Sequence, residues 1–305
     1  MERAEALAVL VSTVQSYWIR RSRSYALGRQ TPLGALLKFF SLTYAVTWTC
    51  FIAAAVILGT VASGHPRLAG LAGLLLLCGT LAPAVVALWL TGRTEGRSGT
   101  RAMLRRLLEW RVGARWYVFA VGYMAAIKLA VALVHRVAVG TWPPLGQEVW
   151  YVILVSIVLT TVGQAGEEIG WRGYALPRLA ARLGLARASV LLGVIWACWH
   201  LPLFFVPGIS QTGQSFPVYL LMVPALSVAI AWLYGHTNGS LLLAMLMHAA
   251  INQTAKIVPT ADTAATNPLA LSSSLVAWLT LGFLWIGAGY FLVRMPRADV
   301  LRPAA

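Results

Sequence analysis

The chain has 305 residues, 59% of them apolar and only 11% charged. A soluble domain carries about 25% charged residues, so this composition excludes a water-facing globular fold, and its hydrophobicity likewise excludes disorder. The net charge of +15 invites nucleic acid, but the basic residues gather between apolar runs without interleaved aromatic side chains, a distribution that the positive-inside rule of membrane proteins explains. Cys50, Cys78 and Cys198 all lie in apolar stretches and form no metal-type pair, so neither a disulfide framework nor a cysteine metal site is expected.

In chain order, residues 1–36 are expected to form a cytoplasmic leader, with an interfacial helix running into Arg20, Arg21 and Arg23 as one form for it. A signal-peptide plan is not expected there, because the mildly apolar residues 6–14 follow Glu2 and Glu5 and no small-residue cleavage site is clear. A transmembrane domain is then expected over 37–294, with its functional core at about 149–258, and a cytoplasmic tail over 295–305. A spanning helix needs about 20 mostly apolar residues. Eight segments meet or nearly meet that need: 39–62, 68–90, 116–134, 149–165, 188–206, 217–234, 240–258 and 269–293. The predicted fold class is an all-α polytopic membrane protein of eight transmembrane helices. With both termini cytoplasmic, the inner regions hold 20 Lys or Arg and the outer loops only Arg67 and Arg136, the asymmetry that sets orientation.

Ionisable groups at membrane depth cost about 2.5–3.5 kcal/mol each on insertion scales, so three polar clusters call for a reason. The first ends the fourth span, where Thr160, Gln164, Glu168 and Arg172 follow at steps of four and make one helical stripe. Glu168 and Arg172 are spaced for an ion pair, and Glu167 turns to an adjacent face. The second is Trp196 with His200, one turn apart in the fifth span, where the indole can hold the imidazole by packing or simply face lipid. The third is His248 with Asn252, again one turn apart, in the seventh. Entering from the cytoplasm, His200 lies about 18 Å deep and His248 about 12 Å deep at ~1.5 Å per residue. Glu167 is shallower by the same count, which a displaced helix or, as favoured here, a water-filled cleft open to the cytoplasm would reconcile.

A carboxylate, two imidazoles and an amide can hydrolyse an amide bond in two ways. Glu167 and His200 can activate water while His248 and Asn252 stabilise the oxyanion. Alternatively, Glu167, His200 and His248 can hold zinc as a His₂Glu site. Other intramembrane protease chemistries lack their residues. The two aspartates, Asp262 and Asp299, lie outside the spans, and neither a His-Glu-x-x-His nor a Gly-x-Ser-x-Gly motif occurs.

In order, Glu167-Glu168-x-x-x-Arg172, Trp196-x-x-x-His200 and His248-x-x-x-Asn252 resemble the three motifs of the CPBP family, the CAAX-protease and bacteriocin-processing (Abi, Rce1-like) intramembrane proteases. Asn238-Gly239-Ser240-Leu241 resembles the family's lead-in to the third motif, and the resemblance covers about 149–252. Trp196 departs from the phenylalanine more common there. The resemblance implies a glutamate-dependent endopeptidase that acts through water, requires no cofactor and cleaves a membrane-associated protein or peptide. It implies catalytic Glu167, His200, His248 and Asn252, with Glu168, Arg172 and Trp196 in support. Twenty-one Arg against three Lys point to a GC-rich genome, hence to the plasma membrane of a bacterial cell, and no nucleic acid is expected as partner. Two other classes remain: a small-molecule transporter, with Lys128 as an extra polar site, and a non-catalytic immunity or scaffold protein. The first would be expected to carry internal symmetry or paired broken helices, and neither is visible.

Overall fold

In a computed structural model, residues 33–62, 68–260 and 267–297 are described, and every regular element among them is helical. The leader expected at 1–36 lies outside the described residues except for its last few positions, as does most of the tail at 295–305. Apolar runs without internal charge pairs produce the long helices α1 (Leu33–Ala62) and α2 (Ala69–Thr94). A short basic helix, α3 (Gly96–Arg105), follows, and then α4 (Ala114–Val139), which ends on Gly140 in the left-handed region. The polar motif lies in a long irregular rod made of α5 (Trp150–Thr161), a 3-10 turn (Val162–Gln164), α6 (Ala165–Glu168), a π-helical segment (Ile169–Ala175) and α7 (Leu176–Leu183). The remaining helices are α8 (Leu185–Trp199), α9 (Phe216–His236), α10 (Leu241–Thr254) and α11 (Leu275–Val293).

Among the described residues, seven helical stretches are long and apolar enough to cross a membrane. The eighth expected span is present as α10, but its 14 residues reach only about 21 Å at ~1.5 Å per residue, short of ~30 Å of hydrocarbon. Its position accounts for this. Helix α10 packs against α4 and α9 and against the polar rod, of which α5 is part, and most of its side chains are buried, so it is largely enclosed by protein, where a helix shorter than the bilayer is tolerated. Ser240 caps its start, the hydroxyl accepting from Leu243 N at 3.2 Å. Asn238 and Gly239 both take positive φ ahead of that cap, and Gly239 N closes the preceding turn onto Tyr234 O at 2.8 Å.

The fourth span corrects the expectation most. It does not stop at 165 but runs from Trp150 to Leu183 as one stretch of 34 residues. Glu167 therefore lies midway along it rather than at its inner end, at the level of Trp196, with adjacent Glu168 at the level of His248. Arg172, counted among the inner loop charges, is fully buried, which leaves 19 inner charges against the same two outer ones. Helix α2 seats the rod: a Cβ on Gly170 would stand 2.5 Å from Pro83 Cβ and 2.7 Å from its carbonyl oxygen, so only glycine permits this approach. Cys50, Cys78 and Cys198 are free thiols.

Candidate active site

Glu167, Glu168 and Arg172 come from the rod, Trp196 and His200 from the end of α8, and His248 from the middle of α10. All six are buried: Glu168 and Arg172 completely, with 7% exposure kept by both Glu167 and His200. The switch from α- to π-helical winding directly after Glu168 is an irregularity common at functional sites.

Glu168 Oε1 accepts from Arg172 NH1 at 2.8 Å, the i,i+4 ion pair that the spacing predicts. The same oxygen accepts from His248 Nδ1 at 2.8 Å. Glu167 has a different partner, the indole N–H of Trp196, which donates to Oε2 at 2.7 Å. His200 Nδ1 donates to Trp196 O at 2.8 Å; a carbonyl can only accept, so this bond fixes the ring proton on Nδ1 and leaves Nε2 with its lone pair in the neutral ring. Burial raises the strength and the stakes of each of these bonds.

Trp196 is the hub. The Arg172 guanidinium lies 4.5 Å over its ring, the His248 ring meets it edge-on at 5.1 Å, and the His200 ring at 5.7 Å. One side chain thus touches the carboxylate, the guanidinium and both imidazoles. Its lipid-facing alternative fails, because only 4% of it is exposed. Outside this ring, Trp199 packs against His200 at 4.6 Å and Tyr219 of α9 at 5.4 Å. The sequence singled out neither. Trp199 follows α-helical apolar spacing and Tyr219 sits in a plain apolar run, so no local signal marks them.

Asn252 is exposed, one turn beyond buried His248. Its neighbour Gln253 reaches Thr160 on the rod, Nε2 to Oγ1 at 3.4 Å. Glu168 Oε2 and the Nε and NH2 atoms of Arg172 are enclosed without partners. Glu167, His200 and His248 are donor types that suit zinc, but among the described residues no three His, Cys, Asp or Glu side chains are gathered as a metal-holding group.

These features define a multi-pass, all-helical membrane protein with a buried glutamate, arginine and histidine cluster at the centre of its bundle. Residues 146–254, which carry all three motifs, match the family described as type II CAAX prenyl endopeptidase Rce1-like. Over 225 residues the chain is 25% identical to the CAAX prenyl protease 2 of Methanococcus maripaludis, an alignment covering 70% of this chain and 81% of that protein. Over this segment the chain is thus similar to the Rce1-like CAAX prenyl endopeptidases.

Proposed function

We propose that the chain is an intramembrane endopeptidase in which Glu167 and His200 activate water against a peptide bond of a membrane-associated protein or peptide. The observation that carries this reading is the division of labour between two adjacent carboxylates. Glu168 is committed to a buried cation and an imidazole. Glu167 has one neutral donor and keeps some exposure, so its carboxylate is open to a water, whereas the second oxygen of Glu168 is enclosed. Water attacks the carbonyl carbon as its proton passes to Glu167, with His200 Nε2 as the second acceptor that orients it. The tetrahedral intermediate then breaks its C–N bond, the amine nitrogen takes the proton, and a carboxylate and an amine leave.

In the same reading His248 and Asn252 face the oxyanion. With its Nδ1–H given to Glu168, His248 serves the oxyanion only through a proton on Nε2. No step needs a metal, and a bound zinc would instead use Glu167, His200 and His248 as ligands. One tightly held zinc per purified chain, with activity lost on its removal, would replace the metal-free scheme. We place the protein in a bacterial plasma membrane with both termini cytoplasmic; the name of the relative makes a prenylated tail one substrate to try.

The deciding experiment compares the membrane proteome of cells carrying the wild type with that of cells carrying Glu167→Gln. The amide cannot take the proton, so a fragment present with wild type is expected to disappear. An immunity scaffold or a transporter would leave the fragment pattern unchanged.

A further inference from the structure

Helix α3 links two spanning helices, so it lies at the membrane surface. Arg97, Arg101 and Arg105 recur on it at steps of four and form one row, and all three are exposed. They line a cleft of about 520 Å³ together with Thr100, Leu104 and Leu108. Leu108 is 75% exposed and Leu104 37%, so the charged row runs along an apolar one. Among the described residues the nearby acids form no ion pair with the row: Glu95 is paired with Arg178, and Glu109 forms none of the ion pairs.

The helix itself is held firmly. Met103 turns inward and is buried, Arg106 NH1 donates to Tyr234 OH at 2.6 Å, and α3 packs on the π-helical segment. Flanking aromatics carry stacked guanidinium groups, Arg93 over Trp89 at 5.3 Å and Arg111 over Trp110 at 5.3 Å. Tryptophans of this kind sit at headgroup level in membrane proteins.

We infer that this cleft is a binding site for the headgroup of an anionic phospholipid, the arginines taking the phosphate and Leu104 and Leu108 the start of the acyl chains. Three facts favour a lipid over a soluble anion. The cleft lies on the link between two spans, beside the end of α2, it pairs forked guanidinium donors suited to phosphate with an apolar wall, and it is open rather than enclosed. The inference is independent of the proposed peptidase activity, since its readout is binding.

The full chain is reconstituted in phosphatidylcholine vesicles carrying a small fraction of spin-labelled phosphatidylglycerol or spin-labelled phosphatidylcholine, and the immobilised fraction of each label is measured. The wild type is expected to prefer phosphatidylglycerol. Arg101→Gln should weaken that preference roughly fivefold, the usual effect of one juxtamembrane arginine, and Arg97→Gln with Arg105→Gln should reduce it further. Arg136→Gln, which removes an exposed charge at the far end of α4, should leave it unchanged and controls for bulk surface charge. Equal immobilisation of the two lipids by the wild type would overturn the site. So would a preference that survives loss of all three arginines, or one abolished by millimolar inorganic phosphate, which would assign the cleft to a soluble anion.

Discussion

Glu168 and His248, from different helices, share a 2.8 Å hydrogen bond at one carboxylate oxygen that also accepts from Arg172 at 2.8 Å. This three-way junction ties the rod to α10 and lies wholly inside the protein. A buried ion pair contributes little net stability because desolvation offsets attraction, yet removing one partner is costly.

Glu168→Gln should therefore destabilise the protein by about 3–5 kcal/mol, because Arg172 is left as an uncompensated buried charge. Arg172→Ala should act in the same direction, and it also removes the guanidinium from the face of Trp196. Thermal unfolding in detergent, read beside expression yield, measures both. Unfolding indistinguishable from wild type for Glu168→Gln would mean that the junction carries no such charge.

Trp196→Phe separates the two uses of the indole. Phenylalanine keeps a ring between the imidazoles but loses the N–H that holds Glu167 at 2.7 Å. A hydrogen bond to a charged group is worth about 1.5–3 kcal/mol. If Glu167 must be held to act on water, kcat should fall about tenfold with KM little changed. An unaltered kcat would assign Trp196 to packing alone.

The order of the helices was legible because period-independent apolar runs of spanning length need only counting, and each of the eight predicted segments overlaps a helix, seven of them in stretches long enough to span. The extent of the fourth was not. Glu167, Glu168 and Arg172 read as the water-facing end of a span, since hydropathy weighs each charge as if it were solvated and takes no account of the partner that neutralises it. The Glu168–Arg172 pair was visible because both residues lie on one turn of one helix. Partners brought together by tertiary packing were not: Trp196 finds Glu167 across a helix boundary, and no spacing rule connects Trp196 with His248. The short length of α10 was hidden too, because 240–258 reads as apolar beyond the point where the helix ends at Thr254.

The charge asymmetry predicts that α3 faces the cytoplasm. In a background lacking Cys50, Cys78 and Cys198, a thiol at Ser98→Cys should stay unlabelled by an impermeant reagent applied to intact cells, whereas one at Thr141→Cys should label. Both positions are exposed. The reverse pattern would invert the topology and place the basic row of α3 outside.

Asn252 decides whether α10 contributes chemistry or only structure beyond His248. Its side chain is exposed near the end of the helix, so Asn252→Ala removes no enclosed contact, and thermal stability should move by no more than about 0.5 kcal/mol, the usual range for surface substitutions. An oxyanion donor behaves differently, since its hydrogen bond strengthens only as charge develops on the carbonyl oxygen. Loss of such a donor typically lowers kcat by about 10²–10³-fold with little change in KM. Helix–helix hydrogen bonding, the alternative, is worth about 0.6 kcal/mol in membranes and would leave turnover intact. Measured side by side on purified protein, an unchanged unfolding temperature with a collapsed kcat is the expected result. Full turnover in a stable Asn252→Ala variant would remove Asn252 from the oxyanion site and leave His248, held by Glu168, as the remaining donor there.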